Sequence, residues 1–310
     1  MSTKVNATIN AIEEKALFQF TEYDEQAAER IGYSNYSYWG STVRVFLKNK
    51  VAVLLLVVMV SLLVFTFVQP YLPGQKDPIK IYTNPATGIQ LRNLQPNAEF
   101  WFGTNSIGQD LWSRIWSGTR TSLLIGILVG IWEVVIGITI GALWGYVRQL
   151  DRLITEVYNV INNIPTTIVL MLLAYIMRPS LQTMVISMCA TGWLGMARFV
   201  RNQIVIIRDR EYNLASRCLG TPTSRIIMKN LLPYLVSVIV LRLALAIPGT
   251  IGWEVFLTYI GLGLPLNIPS LGNLVNEGRQ IMMSPDLRYQ LIFPAAVLSV
   301  ITISFYIMGN

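Results

Sequence analysis

The 310-residue chain is 53% hydrophobic and only 13% charged, with a mean hydropathy of +0.49. Soluble domains carry roughly 25% charged residues, so the composition points to a membrane. The absence of histidine excludes Ser-His-Asp and Cys-His catalysis and every histidine-based metal site, while the net charge of +7 gathers beside apolar runs, where it orients membrane spans rather than binding nucleic acid.

The first residues are polar and acidic, with Glu13, Glu14, Glu22, Asp24, Glu25 and Glu29. No basic region leads into a short apolar core, so no cleaved signal peptide is expected. Residues 1–43 read as a cytoplasmic tail. The first span falls at 51–68, within a segment 44–70, and Arg44, Lys48 and Lys50 before it place the N-terminus inside. Residues 71–119, with Pro73, Pro78, Pro85 and Pro96, read as an external loop or cap. Residues 120–310 read as the transmembrane core.

Within that core the second span is drawn at 123–147, dotted by Gly126, Gly130, Gly137, Gly141 and Gly145. The third covers 155–177 and breaks near Pro165, and the fourth runs 180–199. The fifth covers 235–260 around Pro248, and the sixth 291–308 around Pro294. Interior glycine and proline suit helices that pack on one another in lipid. Both termini then lie in the cytoplasm. So does the basic connection between the fourth and fifth spans, with Arg198, Arg201, Arg208, Arg210, Arg217, Arg225 and Lys229. Cys189 and Cys218 form no CxxC and read as packing residues.

That connection, 205–233, predicts a helix-turn-helix. Asp209 is a fair N-cap, with Glu211 in the first turn. A short helix carries Tyr212, Ala215 and Leu219 on one apolar face, and Gly220 ends it. Thr221 then caps a second helix with Pro222 as its first residue, running to Pro233. Two readings fit: docking on a soluble partner, or an amphipathic linker on the lipid surface.

Several stretches resemble a known family. EYNLASRCLG followed by LLP is similar to the "EAA" loop of ABC importer permeases, with Ala215, Gly220, Leu232 and Pro233 in register. Leu214, Ser216 and Asn230 depart from that pattern. FGTNSIGQDLWSR (Phe102 to Arg114) resembles the FGTDxxGRDxxSR run of oligopeptide and dipeptide permease C-type subunits, with Asn105 and Gln109 in place of Asp and Arg. GWLGMARFVR (192–201), and WEVFLTYIGLG with PSLGNLVNEGR (253–279), resemble the same subfamily.

The resemblance implies an all-α polytopic membrane protein with six transmembrane helices and the type I ABC importer permease fold. It implies a permease subunit of an ATP-driven oligopeptide importer, multi-pass in a bacterial cell membrane. The implied partners are a second homologous permease, two ATP-binding subunits, an external solute-binding protein, the peptide and membrane lipids. The family's coupling surface falls on Glu211, Tyr212, Ala215, Arg217, Leu219, Gly220 and Thr221. No GxxxxGK[ST] loop occurs, so ATP and Mg are expected on the partner subunits, with no cofactor on this chain. The chain reads as a transport subunit, not an enzyme.

Charges inside spans cost at least ~2.5 kcal/mol each. Glu133, Arg242 and Glu254 therefore read as pathway lining, as interhelical pairs or as a proton relay; a glutamate nearer an interface is simply hydrated. Asn159, Asn162 and Asn163 either line a path or bond between helices. Asp110 and Arg114 form an i,i+4 pair in the cap or meet the external binding protein. Trp101, Trp112 and Trp116 read as interfacial anchors. The rival functions are an ion-gradient transporter working through Glu133 or Glu254, and a non-transporting membrane scaffold.

Overall fold

A computed structural model describes residues 38–309; the acidic tail read from the sequence lies, as far as residue 37, outside the described residues. Every regular element among the described residues is helical, with isolated bridges at Thr83–Gln90 and Thr104–Asp110. The chain divides into two units, Met1–Lys50 and Val51–Asn310. In the first, α1 (Tyr38–Lys48) ends on Lys48, a cation at the negative end of its helix.

The second unit holds the rest. Its helices are α2 (Lys50–Val68), α3 (Leu111–Tyr146), α4 (Arg148–Asn162), α5 (Thr166–Met177) and α6 (Leu181–Ile207). They continue with α7 (Glu211–Cys218), α8 (Thr223–Tyr259), α9 (Leu271–Gln280) and α10 (Tyr289–Gly309). The helices α2, α3, α6, α8 and α10 are long and apolar enough to cross a membrane. The pair α4 and α5, bent by 72° at Pro165, makes a sixth span if counted as one. Proline explains the break: it has no N–H to donate and disfavours helical geometry in the residue before it.

Helix α3 is the centre of the bundle, and glycine is why. Lipid tails are as apolar as leucine, so spanning helices gain by close packing rather than by leaving water. Gly137, Gly141 and Gly145 recur every four residues and make a groove along α3 that receives α6. A Cβ at Gly137 would lie 2.5 Å from Met196 Cβ, one at Gly145 2.8 Å from the Arg201 carbonyl, and one at Gly141 would meet the Ala197 carbonyl. Further along the same helix Gly126 admits Ile247 of α8, and Gly118 admits the backbone of Ser270 just before α9. Helix α2 packs Met59 against Leu123, Ile251 and Phe305 but leaves Leu54, Val57, Val60 and Val64 exposed, the pattern of a lipid-facing outer helix.

Several sequence expectations are corrected. The second span begins at Leu111, inside the stretch read as loop, because the Asp110 carboxylate accepts the Ser113 N–H and caps the helix. The expected Asp110–Arg114 pair does not form: Asp110 is spent on the cap, and Arg114 turns to Glu277 at 2.7 Å. The fourth span continues to Ile207, so Arg198 and Arg201 lie on a helix rather than in a loop. Arg201 grips Asp151 of α4 at 2.8 Å, and Arg198 donates to the Tyr158 hydroxyl at 3.3 Å. The short helix α9 was not anticipated; Ser270 caps it by accepting the Asn273 N–H.

Candidate functional site

The elbow between α6 and α8 is built from both sides. At its entry the Arg208 guanidinium donates to the Gly145 carbonyl of α3 at 2.7 Å. Asp209 does not cap α7, the N-cap position being Arg210. Instead Asp209 sits among Arg208 at 3.3 Å, Arg217 at 3.4 Å and Arg148 at 3.5 Å. Slight burial works against ionisation, but the Arg208 hydrogen bond and the three guanidinium charges win and hold its carboxyl below the usual aspartate value.

Helix α7 has two faces. Asn213 and Arg217, spaced i and i+4, point inward. Asn213 is fully buried and donates to the Ile207 carbonyl at 2.9 Å. Arg217 donates to the Tyr146 hydroxyl at 3.1 Å and to the Arg208 carbonyl at 2.9 Å. The opposite face carries Glu211, Tyr212, Leu214 and Ala215, with Leu219 just past the helix, and all are exposed. Leu219 is 85% exposed, extreme for a leucine that has a packed bundle beside it.

The turn after α7 is a Schellman motif. Gly220 has φ +75°, the Thr221 N–H reaches the Ser216 carbonyl at 3.1 Å, and the Gly220 N–H reaches Arg217 at 2.9 Å. Pro222 then takes the N-cap position, one residue later than the sequence suggested, and Thr223 opens α8. The helix does not stop at Pro233. It widens into a π-helical stretch, Ile227–Leu231, and continues to Tyr259. Pro233 has no N–H for the carbonyl four residues back, and the wider turn relieves that clash. Asn230, on this stretch, donates to Asn213 at 3.1 Å and to Ser216 at 3.3 Å, joining α8 to α7.

Of the residues singled out in the sequence, Glu211, Tyr212, Ala215, Leu219 and Gly220 share the exposed side and Thr221 is half-buried beside them. Arg217 faces inward as a brace. Asp209 was read as a cap rather than as the centre of an arginine cluster, and Asn213, Asn230 and Tyr146 were missed as structural parts of the elbow. Their signal was faint: a polar residue at each inward position of an otherwise amphipathic pattern.

The intramembrane polar residues separate. Glu254 is fully buried; it accepts the Ser122 hydroxyl at 2.7 Å, and Ser122 in turn accepts the Leu271 N–H at 3.0 Å. This relay sets a carboxylate at the N-terminal end of α9, where the helix dipole favours it. Glu133 of α3 and Arg242 of α8 line one recess with Gly192, Gly195 and Met196. Asn162 and Asn163 are exposed at the α4–α5 break, where Tyr158 donates to Asn162 at 3.1 Å.

In the first turn of α3, Arg114 is 1% exposed and bonds Glu277 and, from the loop ahead of the helix, Gln109. Asn105 donates to Gln109 at 3.0 Å. Burial raises the Glu277 carboxyl above the usual glutamate value, against the pull of Arg114 and Asn105. Trp112 is the hub of an aromatic cluster with Phe65, Trp101, Phe102 and Trp116, all within 5.8 Å between ring centres. Of this cluster Trp116 is buried, whereas Trp101 is 57% exposed.

Comparison with known proteins agrees with this architecture. Residues 137–310 match the family described as binding-protein-dependent transport system inner membrane component. Residues 37–96 match the N-terminal TM domain of oligopeptide transport permease C. The chain is similar to the oligopeptide transport system permease protein AmiD of Streptococcus pneumoniae, 38% identical across 96% of this chain and 95% of the relative. It is also similar to the dipeptide transport system permease protein DppC of Bacillus subtilis, 33% identical across 94% and 89%. Among solved structures, an inward-facing MetNI methionine ABC transporter chain superposes with a TM-score of 0.51 at 21% identity, over 63% of this chain and 93% of that one. That likeness supports the type I importer permease fold.

Proposed function

Since the chain belongs to the binding-protein-dependent transport system inner membrane components, in the oligopeptide- and dipeptide-type permease C branch, we propose that it is one of two permease subunits of an ATP-driven peptide importer. Its helices enclose half of the path and its partner's helices the other half. An external solute-binding protein delivers the peptide. Two ATP-binding subunits, which carry ATP and Mg, supply the work from the cytoplasmic side, where both termini of this chain also lie.

The observation that carries this reading is the elbow. It is rigid, being tied to α3 at Gly145 and Tyr146 and to α8 through Asn230. Yet it presents Tyr212, Leu214, Ala215 and Leu219 outward, apolar groups that gain by leaving water against a soluble partner. Closure of the ATP-binding subunits then moves the elbow, and the elbow moves the spans joined to it.

Gly220 gives the test. Nothing lies within 4 Å of a Cβ added there, so a side chain meets only the strain of its positive φ. Gly220→Val costs about 1–2 kcal/mol locally and re-aims Leu219; Gly220→Asn, which tolerates that geometry, costs less. After mild detergent extraction the valine variant is expected in the membrane fraction but without its ATP-binding subunits, while the asparagine variant keeps them. Equal recovery of those subunits with both variants would overturn the assignment of the elbow.

A further inference from the structure

The recess lined by Glu133 and Arg242 differs from three other charged sites of the bundle, each of which has a protein partner. Glu254 has Ser122, Arg114 has Glu277, and Arg201 has Asp151. Glu133 has no hydrogen bond and no ion pair among the described residues, and Arg242 rests its guanidinium over the Phe199 ring at 4.3 Å without a carboxylate. Both face one recess of about 220 Å³.

The local sequence keeps that space open. Gly192 of α6 lies against the Glu133 carboxylate, and a Cβ at that position would collide with its Oε1. Gly195, one turn on, meets nothing within 4 Å. Glu133 also borders a second recess on its other side, with Thr166, Thr191, Thr250 and Trp253. The carboxylate therefore stands at the junction of two cavities, between four helices, and no protein group answers its charge.

We propose that this recess is a station on the translocation path that holds a zwitterionic solute, its ammonium on Glu133 and its carboxylate on Arg242. Opposite unpaired charges on facing helices demand opposite charges in return, and a short peptide with free termini carries both. The Phe199 ring beneath Arg242 holds the guanidinium in place without consuming its donors. The inference rests on the peptide-import reading above and adds where in this chain the peptide is held.

The test uses the assembled permease–ATPase complex in lipid nanodiscs, without the binding protein, and labelled trialanine as probe. Free trialanine is expected to bind the wild-type complex saturably, and N-acetyl-trialanine more weakly. Glu133→Gln lowers affinity for free trialanine about tenfold or more, as the loss of a charged hydrogen bond implies, and leaves the acetylated peptide unchanged. Arg242→Gln has the matching effect on the free peptide against its C-terminal amide. Glu133→Asp, which keeps the charge, restores part of the affinity and separates loss of a contact from loss of the fold. Absence of saturable binding, or an equal loss for free and acetylated peptide, overturns the proposal. ATP-driven uptake of trialanine by the complete system is measured alongside: uptake without binding sinks the station alone, whereas no uptake sinks the import reading and the station with it.

Discussion

Arg114 and Glu277, 163 residues apart in the chain, meet at 2.7 Å where the start of α3 lies against α9. The two side chains are unequally buried, at 1% and 22% exposure, and that inequality decides which loss matters more. Glu277→Ala strands a cation with almost no water around it and is expected to cost about 3–5 kcal/mol. Arg114→Met leaves a carboxylate that water still reaches, at a smaller cost. Thermal unfolding of the detergent-solubilised protein ranks the two; the reverse order would refute the account.

Asp209 makes the elbow sensitive to acid. Its carboxyl is held below the usual aspartate value by the surrounding guanidinium groups, so its contribution is complete above that usual value. It is lost as pH falls through the lower, folded value. The protection factors of the α7 amides, with the intrinsic pH dependence of exchange divided out, are therefore expected to stay flat from neutrality down to the ordinary aspartate range and to fall only below it. Asp209→Asn should show the faster exchange already at neutral pH.

Gly141 tests the groove that seats α6. Gly141→Val drives a branched side chain into the Ala197 carbonyl and Val200 and is expected to cost at least about 1–3 kcal/mol, since backbone cannot yield as a flexible side chain can. Gly249→Ala, where an added methyl meets open space, should be neutral or gain up to about 1 kcal/mol from helix propensity. Unfolding midpoints of the isolated subunit compare them.

Ser216 and Asn230 are predicted to be coupled. Asn230→Ile removes the partner of the fully buried Asn213 and is expected to cost about 1–3 kcal/mol. Ser216→Ala made on top of it should cost less than Ser216→Ala made alone, because the shared hydrogen bond is already gone. Strict additivity in the double-mutant cycle would show that the contact contributes nothing.

The spans were legible because charge-free apolar runs leave few alternatives to a membrane helix, and the exposed face of α7 because Tyr212, Ala215 and Leu219 keep helical spacing. Contacts were not legible. Nothing near Asp110 says that Arg114 will reach past it to Glu277, since that choice depends on where α9 lies. The same blindness hid a pattern among the departures from the family's runs. Asn105 and Gln109 touch each other, as do Ser216 and Asn230, so positions that read as separate in one dimension are neighbours in the folded chain. The extent of α6 was underestimated because basic residues were taken to end a span, whereas Asp151 and Tyr158 let Arg201 and Arg198 stay on the helix. That of α8 was underestimated because Pro233 was taken to end the elbow's second helix, whereas a π-helical stretch carries it through.

Helix α8 runs unbroken for 37 residues from the elbow to Tyr259, about 55 Å at the helical rise. A displacement at Thr223 is carried along such a shaft, through the π-helical stretch Ile227–Leu231, and arrives at the far end as a tilt. Arg242 rides partway along the shaft, whereas Glu133 belongs to the neighbouring α3. If the elbow is driven as proposed, each stroke alters the gap between Arg242 and Glu133 across the recess they share, turning mechanical travel into a change of grip.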